Sequence, residues 1–323
     1  MRPIQLGSVL VAACTCLLST LSAAENYPVR PVRVLSGFAP GGATDVIGRV
    51  LVDTLTSRLG QSFYLDGKPG AAGNLAGEIL ANAAPDGYTL YLVGMGVAVI
   101  NHALYGNLSY DPATAFAPIT LLVRLPLVLE VKAAMKVASY REFVDVARSG
   151  VRLNHGSPGI GTLPHLAAAL LMAKIGFDSA HVPYRGTGPF TAAMMQAEID
   201  WAFDVPSAAL TLLSGGFVKA LAVTSAARYE AFPGVPTLVE LGMPDLVIDV
   251  WFGLVAPART PRAIVESLSR EVAQGFATPE PAARLRALGY EPATSTPDET
   301  SAIFAADRAR WGAVVKANNI KAE

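Results

Sequence analysis

Three glycine-rich segments carry the chemistry that this chain offers most openly: Phe38-Ala39-Pro40-Gly41-Gly42-Ala43-Thr44-Asp45, Gly156-Ser157-Pro158-Gly159-Ile160-Gly161-Thr162, and Tyr184-Arg185-Gly186-Thr187-Gly188-Pro189. Each follows a strand-like run and opens a helix-like one, so each ends where free backbone N–H groups point outward. A helix start stabilises a nearby anion by about 0.3 to 1 kcal/mol, and by up to about 2 when partly buried. Glycine lets the main chain approach a ligand with no side chain between them. Hydrogen bonds to a charged group add roughly 1.5 to 3 kcal/mol each, so a few of them reach the roughly 8 kcal/mol of a micromolar complex. The chemistry is anion capture, and it needs no catalytic group. Taken singly, each loop also reads as a tight turn that binds nothing. Open α/β sheets bind ligands outside the carboxyl ends of their strands, and all three loops fall there.

Other chemistries fit the residues poorly. Gly41-Gly42 lacks the G-x-G-x-x-G spacing, and no loop ends in the Lys-Ser/Thr of a phosphate-binding P-loop, so the anion reads as a carboxylate rather than a nucleotide. His102, His155, His165 and His181 are scattered without a metal-binding spacing, and no metal or cofactor is expected. His165 stands about one turn into the helix after Gly161-Thr162 and is a candidate to face a ligand. Ser157 lies in Gly156-Ser157-Pro158-Gly159, which is not a nucleophile elbow. Asp204, before Pro206, reads equally as a helix cap and as an acceptor for a ligand amine or hydroxyl. Arg185 could meet a ligand carboxylate, but solvent is the expectation for a lone charge.

The elements that position these loops alternate. Val32 to Ser36 reads as a strand, and Val46, Ile47, Val50, Leu51, Leu55 and Leu59 form one apolar stripe on a helix that Gly60 closes. Ser62 to Leu65, a helix from Gly73 to Ala83, and Thr89 to Val93 complete a β-α-β-α-β half-domain. The alternation restarts with strand candidates at Arg152 to His155, Ala180 to Pro183, Ile199 to Phe203 and Lys219 to Val223. Pro126 and the segment Lys132 to Ser139 read as the crossing between halves. Trp251 to Ala256 is a late strand, and the amphipathic stretches Pro261 to Ala287 and Asp298 to Ala317 are expected to return to the first half. The expected lobes are residues 25–128 with 248–323, and residues 129–247.

Residues 1–24 read as an export signal: Arg2, an apolar run from Ile4 to Leu21, then Ser22-Ala23-Ala24. A second reading takes Val11-Ala12-Ala13-Cys14 as a lipoprotein box with a lipid anchor on Cys14. Cys14 and Cys16 are the only cysteines, so cleavage after Ala24 leaves no thiol for a disulfide or a metal. With 25 basic and 26 acidic residues the chain carries −1, and losing Arg2 makes it −2, which argues against nucleic acid as a partner. A periplasmic monomer is expected.

Tyr27-Pro28, FAPGGATD, PDGYTL, YDPATAFAPIT, HVPYRGTGP, ALAVTSAAR and WFGLVAP, in that order through nearly the whole mature chain, resemble the Bug family, the extracytoplasmic receptors of tripartite tricarboxylate transporters. The resemblance implies an α/β, two-lobed fold like that of periplasmic binding proteins, each lobe a mainly parallel sheet flanked by helices, with the ligand cleft between them. It implies capture without catalysis, a membrane permease of one large and one small subunit as partner, and di- or tricarboxylates, acidic amino acids or aromatic acids as ligands. Family contacts carry over onto Phe38, Ala39, Gly41, Gly42 and Asp45 in the first lobe. In the second they fall on Ser157, Gly161, Thr162, His165, Tyr184, Thr187 and Asp204. Many relatives carry a serine or threonine after the third strand where this chain reads Gly94-Met95-Gly96-Val97. Met95 and Val97 make that wall less polar, which suits an aromatic or aliphatic acid better than citrate. A sensor feeding a kinase, and a hydrolase built on Ser157, His165 and Asp204, are the competing functions.

Overall fold

The computed structural model describes residues 27–105 and 108–317; the expected signal, residues 1–24 with Cys14, lies outside them. β1 (Val32–Ser36) is buried except at Arg33, as a strand between two parallel neighbours must be. α1 (Ala43–Leu59) buries Ile47, Val50, Leu51 and Leu55, and Gly60 ends it in the left-handed region at φ 68°. β2 (Phe63–Gly67), α2 (Asn74–Ala81) and β3 (Thr89–Gly94) follow. A wide helical turn at Gly96–Ile100 then runs into two short helices, α3 (Asn101–Leu104) and α4 (Pro112–Ala115), and into β4 (Phe116–Leu125).

The chain crosses at Pro126-Leu127 into β5 (Val128–Lys132), so the segment after Lys132 lies beyond the crossing. There α5 (Tyr140–Arg148), β6 (Leu153–Ser157), α6 (Leu163–Ile175), β7 (Ser179–Pro183), α7 (Thr187–Met195), β8 (Trp201–Asp204), α8 (Pro206–Ser214) and β9 (Val218–Val223) build a second sheet. Its order is β7-β6-β8-β5-β9. The chain returns as β10 (Val250–Pro257), α9 (Arg262–Phe276), α10 (Pro279–Arg286), β11 (Glu291–Pro292) and α11 (Pro297–Ala317), and the first sheet reads β11-β4-β10-β3-β1-β2.

Both sheets are mixed. Each keeps a parallel trio, β2-β1-β3 and β7-β6-β8, and the crossing strands add antiparallel pairs through β10 and β5. The strand-to-helix loops of both trios therefore open on one cleft. Thr224 joins the two crossings: its hydroxyl accepts from Leu127 N–H at 2.8 Å and donates to Ile248 C=O at 2.7 Å. The C-terminal helices return to the first sheet, where α9 packs on α1 and β4 and α11 packs on β4. Trp251 and Phe304 stack there with ring centroids 4.5 Å apart.

Candidate functional site

The loops after β1, β3, β6 and β7 and the residue after β8 meet around a cavity of about 60 Å³. The first lobe contributes Phe38, Ala43 and Thr44, Ala72, Met95 to Val97, and Val250 and Phe252 from β10. The second contributes Pro158, Thr162 to Pro164, Thr187 and Val205. Among the described residues no charged side chain lines this space, and its side-chain polarity is limited to three threonines.

The positive character comes from the main chain. Four helices begin on the cavity wall: α1 after Gly42, α6 after Thr162, α7 after Gly186 and α8 after Val205. None of the four N-cap residues closes its helix with a side-chain hydrogen bond. Thr162 has a hydroxyl suited to that task, but it donates to Gly159 C=O at 2.7 Å instead. Pro164 and Pro206, inside the first turns of α6 and α8, have no N–H to leave unpaired. Free N–H groups at convergent helix starts favour an anion, and low polarity around them strengthens the field.

The lobes touch across this space. A Cβ on Gly42 would stand 3.1 Å from Thr187 Cβ, and one on Gly96 would stand 3.0 Å from Gly161 C=O, so a side chain at either site would crowd the opposite lobe. Gly186 packs on Phe38 and Ala39 in the same way. Tyr105 donates its hydroxyl to Ile160 C=O at 3.3 Å. The Gly41-Gly42 turn thus faces the opposite lobe.

The profile of the family described as "Tripartite tricarboxylate transporter family receptor" matches residues 47–320. The chain belongs to that receptor family. Protein BugT of Bordetella pertussis is 31% identical over 301 residues, 92% of each chain. Among solved structures, R. palustris Rpa4515 with adipate is 32% identical, with a TM-score of 0.88 over 91% of this chain and 99% of its own. MatC from Rhodopseudomonas palustris with bound malate is also 32% identical, with a TM-score of 0.84 over 90% and 100%.

In this receptor the residues singled out from sequence divide into wall and support. Phe38, Met95, Thr162 and Thr187 line the cavity. Tyr184 lines an outer chamber, and Ala39 and Gly42 lie in the seam. Gly41, at φ 86°, is exposed and donates its N–H to Asp45 at 3.2 Å; Asp45 also pairs with Arg49 and points away from the cavity. Gly161 is buried in the seam against Asn101 and donates its N–H to His165 Nδ1.

Ser157, His165 and Asp204 do not line the cavity. Ser157 is fully buried with Oγ 2.7 Å from His181 Nε2, and it accepts from Gly159 N–H at 3.2 Å. His165 stacks on His181 at 4.2 Å between centroids, His181 on His155 at 4.9 Å, and His155 on Trp201 at 5.1 Å. Burial holds the three imidazoles neutral, with His155 and His165 pushed down to about 4 and His181 to about 3. This neutral stack fixes the loop of residues 157–161 from behind. Asp204 is fully buried behind Val205 and lies diagonally across the β5–β8 pair from Glu130. Burial raises both carboxyls well above their ordinary range, and the neighbouring Asp204 raises Glu130 further.

Sequence reasoning missed Thr44, although it stands inside a motif it singled out. It also missed Val250 and Phe252, where an apolar strand end gives no sign of facing a ligand.

Proposed function

We propose that this receptor is a periplasmic solute-binding protein that captures a small carboxylate and delivers it to the permease of a tripartite tricarboxylate transporter. One observation carries the reading: four uncapped helix starts, from both lobes, converge on a cavity that no charged side chain lines among the described residues. Adipate and malate in the two similar structures are both carboxylates, in keeping with such a site. The ligand's carboxylate would meet main-chain N–H groups near Gly42 and Thr187, with the hydroxyls of Thr44 and Thr162 beside them. Its body would rest on Phe38, Met95, Val97 and Phe252, which suits an aliphatic or aromatic acid better than citrate.

On this reading the lobes, residues 25–128 with 248–323 and residues 129–247, open to admit the acid and close on it as hinged receptors do. The buried Ser157 hydroxyl, committed to its own loop and to His181, supports capture without turnover. Asp45, Ser157, Gly161, His165 and Asp204 hold the loops in place, and Tyr184 borders the entrance. The protein acts as a monomer, exported by its leader and freed after Ala24 or anchored through Cys14. Calorimetry against aliphatic acids, aromatic acids, acidic amino acids and neutral sugars tests the reading. One acid per chain is expected, and at 100 times its dissociation constant it should add about 2.7 kcal/mol of stability. Stabilisation by sugars alone would refute it.

A further inference from the structure

Phe38, Ala72 and Pro158 line both the inner cavity and a second chamber of about 500 Å³ that adjoins it. Its walls include Tyr105, Tyr184 and Arg185. Among the described residues Arg185 is the only charged one bordering either chamber. Arg185 has no hydrogen-bond or ion-pair partner among the described residues, as is also true of Arg141, Arg152 and Arg259, but of these four it alone lines either chamber, whereas Arg33 is held by Asp66 and Arg262 by Asp298. The facing wall is also unusual. Ala71 and Ala72 both occupy the left-handed region, at φ 45° and 52°, which alanine adopts only under constraint from its surroundings. A strained turn and an unpaired guanidinium thus border one chamber at the mouth of the cleft.

We propose that Arg185 forms a second anion subsite, so that this receptor prefers acids with a terminal second acidic group over monoacids of the same length. The proposal rests on the carboxylate-capture reading and narrows its ligand class to elongated diacids. The inner cavity, about 60 Å³, has room for one carboxylate and a short stretch of carbon chain. Main-chain dipoles neutralise that group without a side-chain charge, so no cation remains inside for a second. A longer chain extends past Phe38, Ala72 and Pro158, and its far carboxylate meets the planar fork of Arg185, which binds such groups through two parallel N–H donors. A monoacid leaves Arg185 in solvent, neither gaining nor losing by it. The guanidinium, passed over in the sequence as a solvent-facing charge, becomes the selectivity determinant.

Matched pairs test this: butyrate with succinate, hexanoate with adipate, and octanoate with suberate, titrated calorimetrically into the full chain and its Arg185→Gln and Arg185→Lys variants. At one or more lengths the wild type should bind the diacid about tenfold more tightly, the scale of one charge-assisted contact that stays partly in solvent. Arg185→Gln should bring that ratio close to one while the monoacid affinity holds within about twofold, and Arg185→Lys should keep part of the preference. An unchanged ratio in Arg185→Gln overturns the proposal, and so does a wild type with no diacid preference at any length. If none of the six acids binds the wild type, this proposal falls; the capture reading falls with it only if aromatic acids and acidic amino acids also fail to bind, a result distinct from bound acids with an unaltered ratio.

Discussion

Two clusters of ionisable side chains lie inside the second lobe, one of three histidines, with His155 buried and His165 and His181 half-buried, and one of two buried carboxyls. The histidine rings are stacked, and Ser157, the Gly161 N–H and Ser179 engage a nitrogen on each. In the carboxyl pair only Asp204 Oδ1 has a partner, the Val205 N–H at 2.7 Å; Glu130 Oε1 and Oε2 and Asp204 Oδ2 have none among the described residues. Both clusters are held neutral by burial, yet they depend on pH in opposite senses. Histidines whose folded pKa is lowered contribute full stability above their ordinary 6.5 and lose it as pH falls toward about 4. Carboxyls whose folded pKa is raised contribute full stability below their ordinary range and lose it as pH rises through the folded value. The stack therefore supports a loop of the site through bonds made by neutral rings, whereas the pair is a liability retained beside the cleft floor.

The strongest way to break this comparison is on the acid side. His155 is 1% exposed, and holding its pKa at about 4 rather than 6.5 is worth on the order of 3 kcal/mol once pH reaches 4. His155→Phe keeps the ring contacts with His181 and Trp201 and removes the titration. Urea unfolding at pH 7 and pH 4 should show the variant losing less stability than wild type between the two; equal losses would mean that the stack is not neutral in the folded chain. The next effect lies on the alkaline side. Glu130→Gln removes a buried carboxyl whose oxygens have no partner among the described residues, and it should stabilise the protein by about 1 to 3 kcal/mol at pH 8. The gain should shrink at pH 5. A wild type more stable than the variant at pH 8 would show that the carboxylate is paired after all.

Neither cluster was legible along the chain. His155 and His181 are 26 positions apart, yet they are direct partners in the parallel β6–β7 register, and α6 then lays His165 on top. Ring stacking across strands follows from register, which apolar spacing does not reveal. β4 and β5 also go unread as strands, since Pro126 reads with Lys132 to Ser139 as the crossing and β4 contains a proline, Pro118. β4 accommodates Pro118 at a shift in its pairing with β10, and Pro126 falls at the crossing. What repeated the strand, glycine-rich loop, helix pattern was legible, down to β1 at Val32–Ser36 and the Gly60 stop. The three loops could be found because glycines and helix starts are local features. The β10 wall could not, because Val250 and Phe252 reach the cavity only after the chain has returned from the second lobe.

The smallest effect sharpens the comparison from outside the buried clusters. Asp45 is an acid in the first lobe's ligand loop, yet it has what Glu130 lacks: the Gly41 N–H at 3.2 Å and Arg49, one helical turn on and 65% exposed. An exposed pair at this spacing contributes roughly 0.3 to 0.5 kcal/mol, because water and salt screen it. Asp45→Asn should therefore cost no more than about 0.5 kcal/mol in urea unfolding at low salt, and less at high salt. Its carboxylate affinity should match wild type, since the side chain turns away from the cavity and toward its own helix. A tenfold loss of affinity with stability unchanged would instead make Asp45 a direct ligand contact, and the division of the site residues into wall and support would have to be redrawn around it.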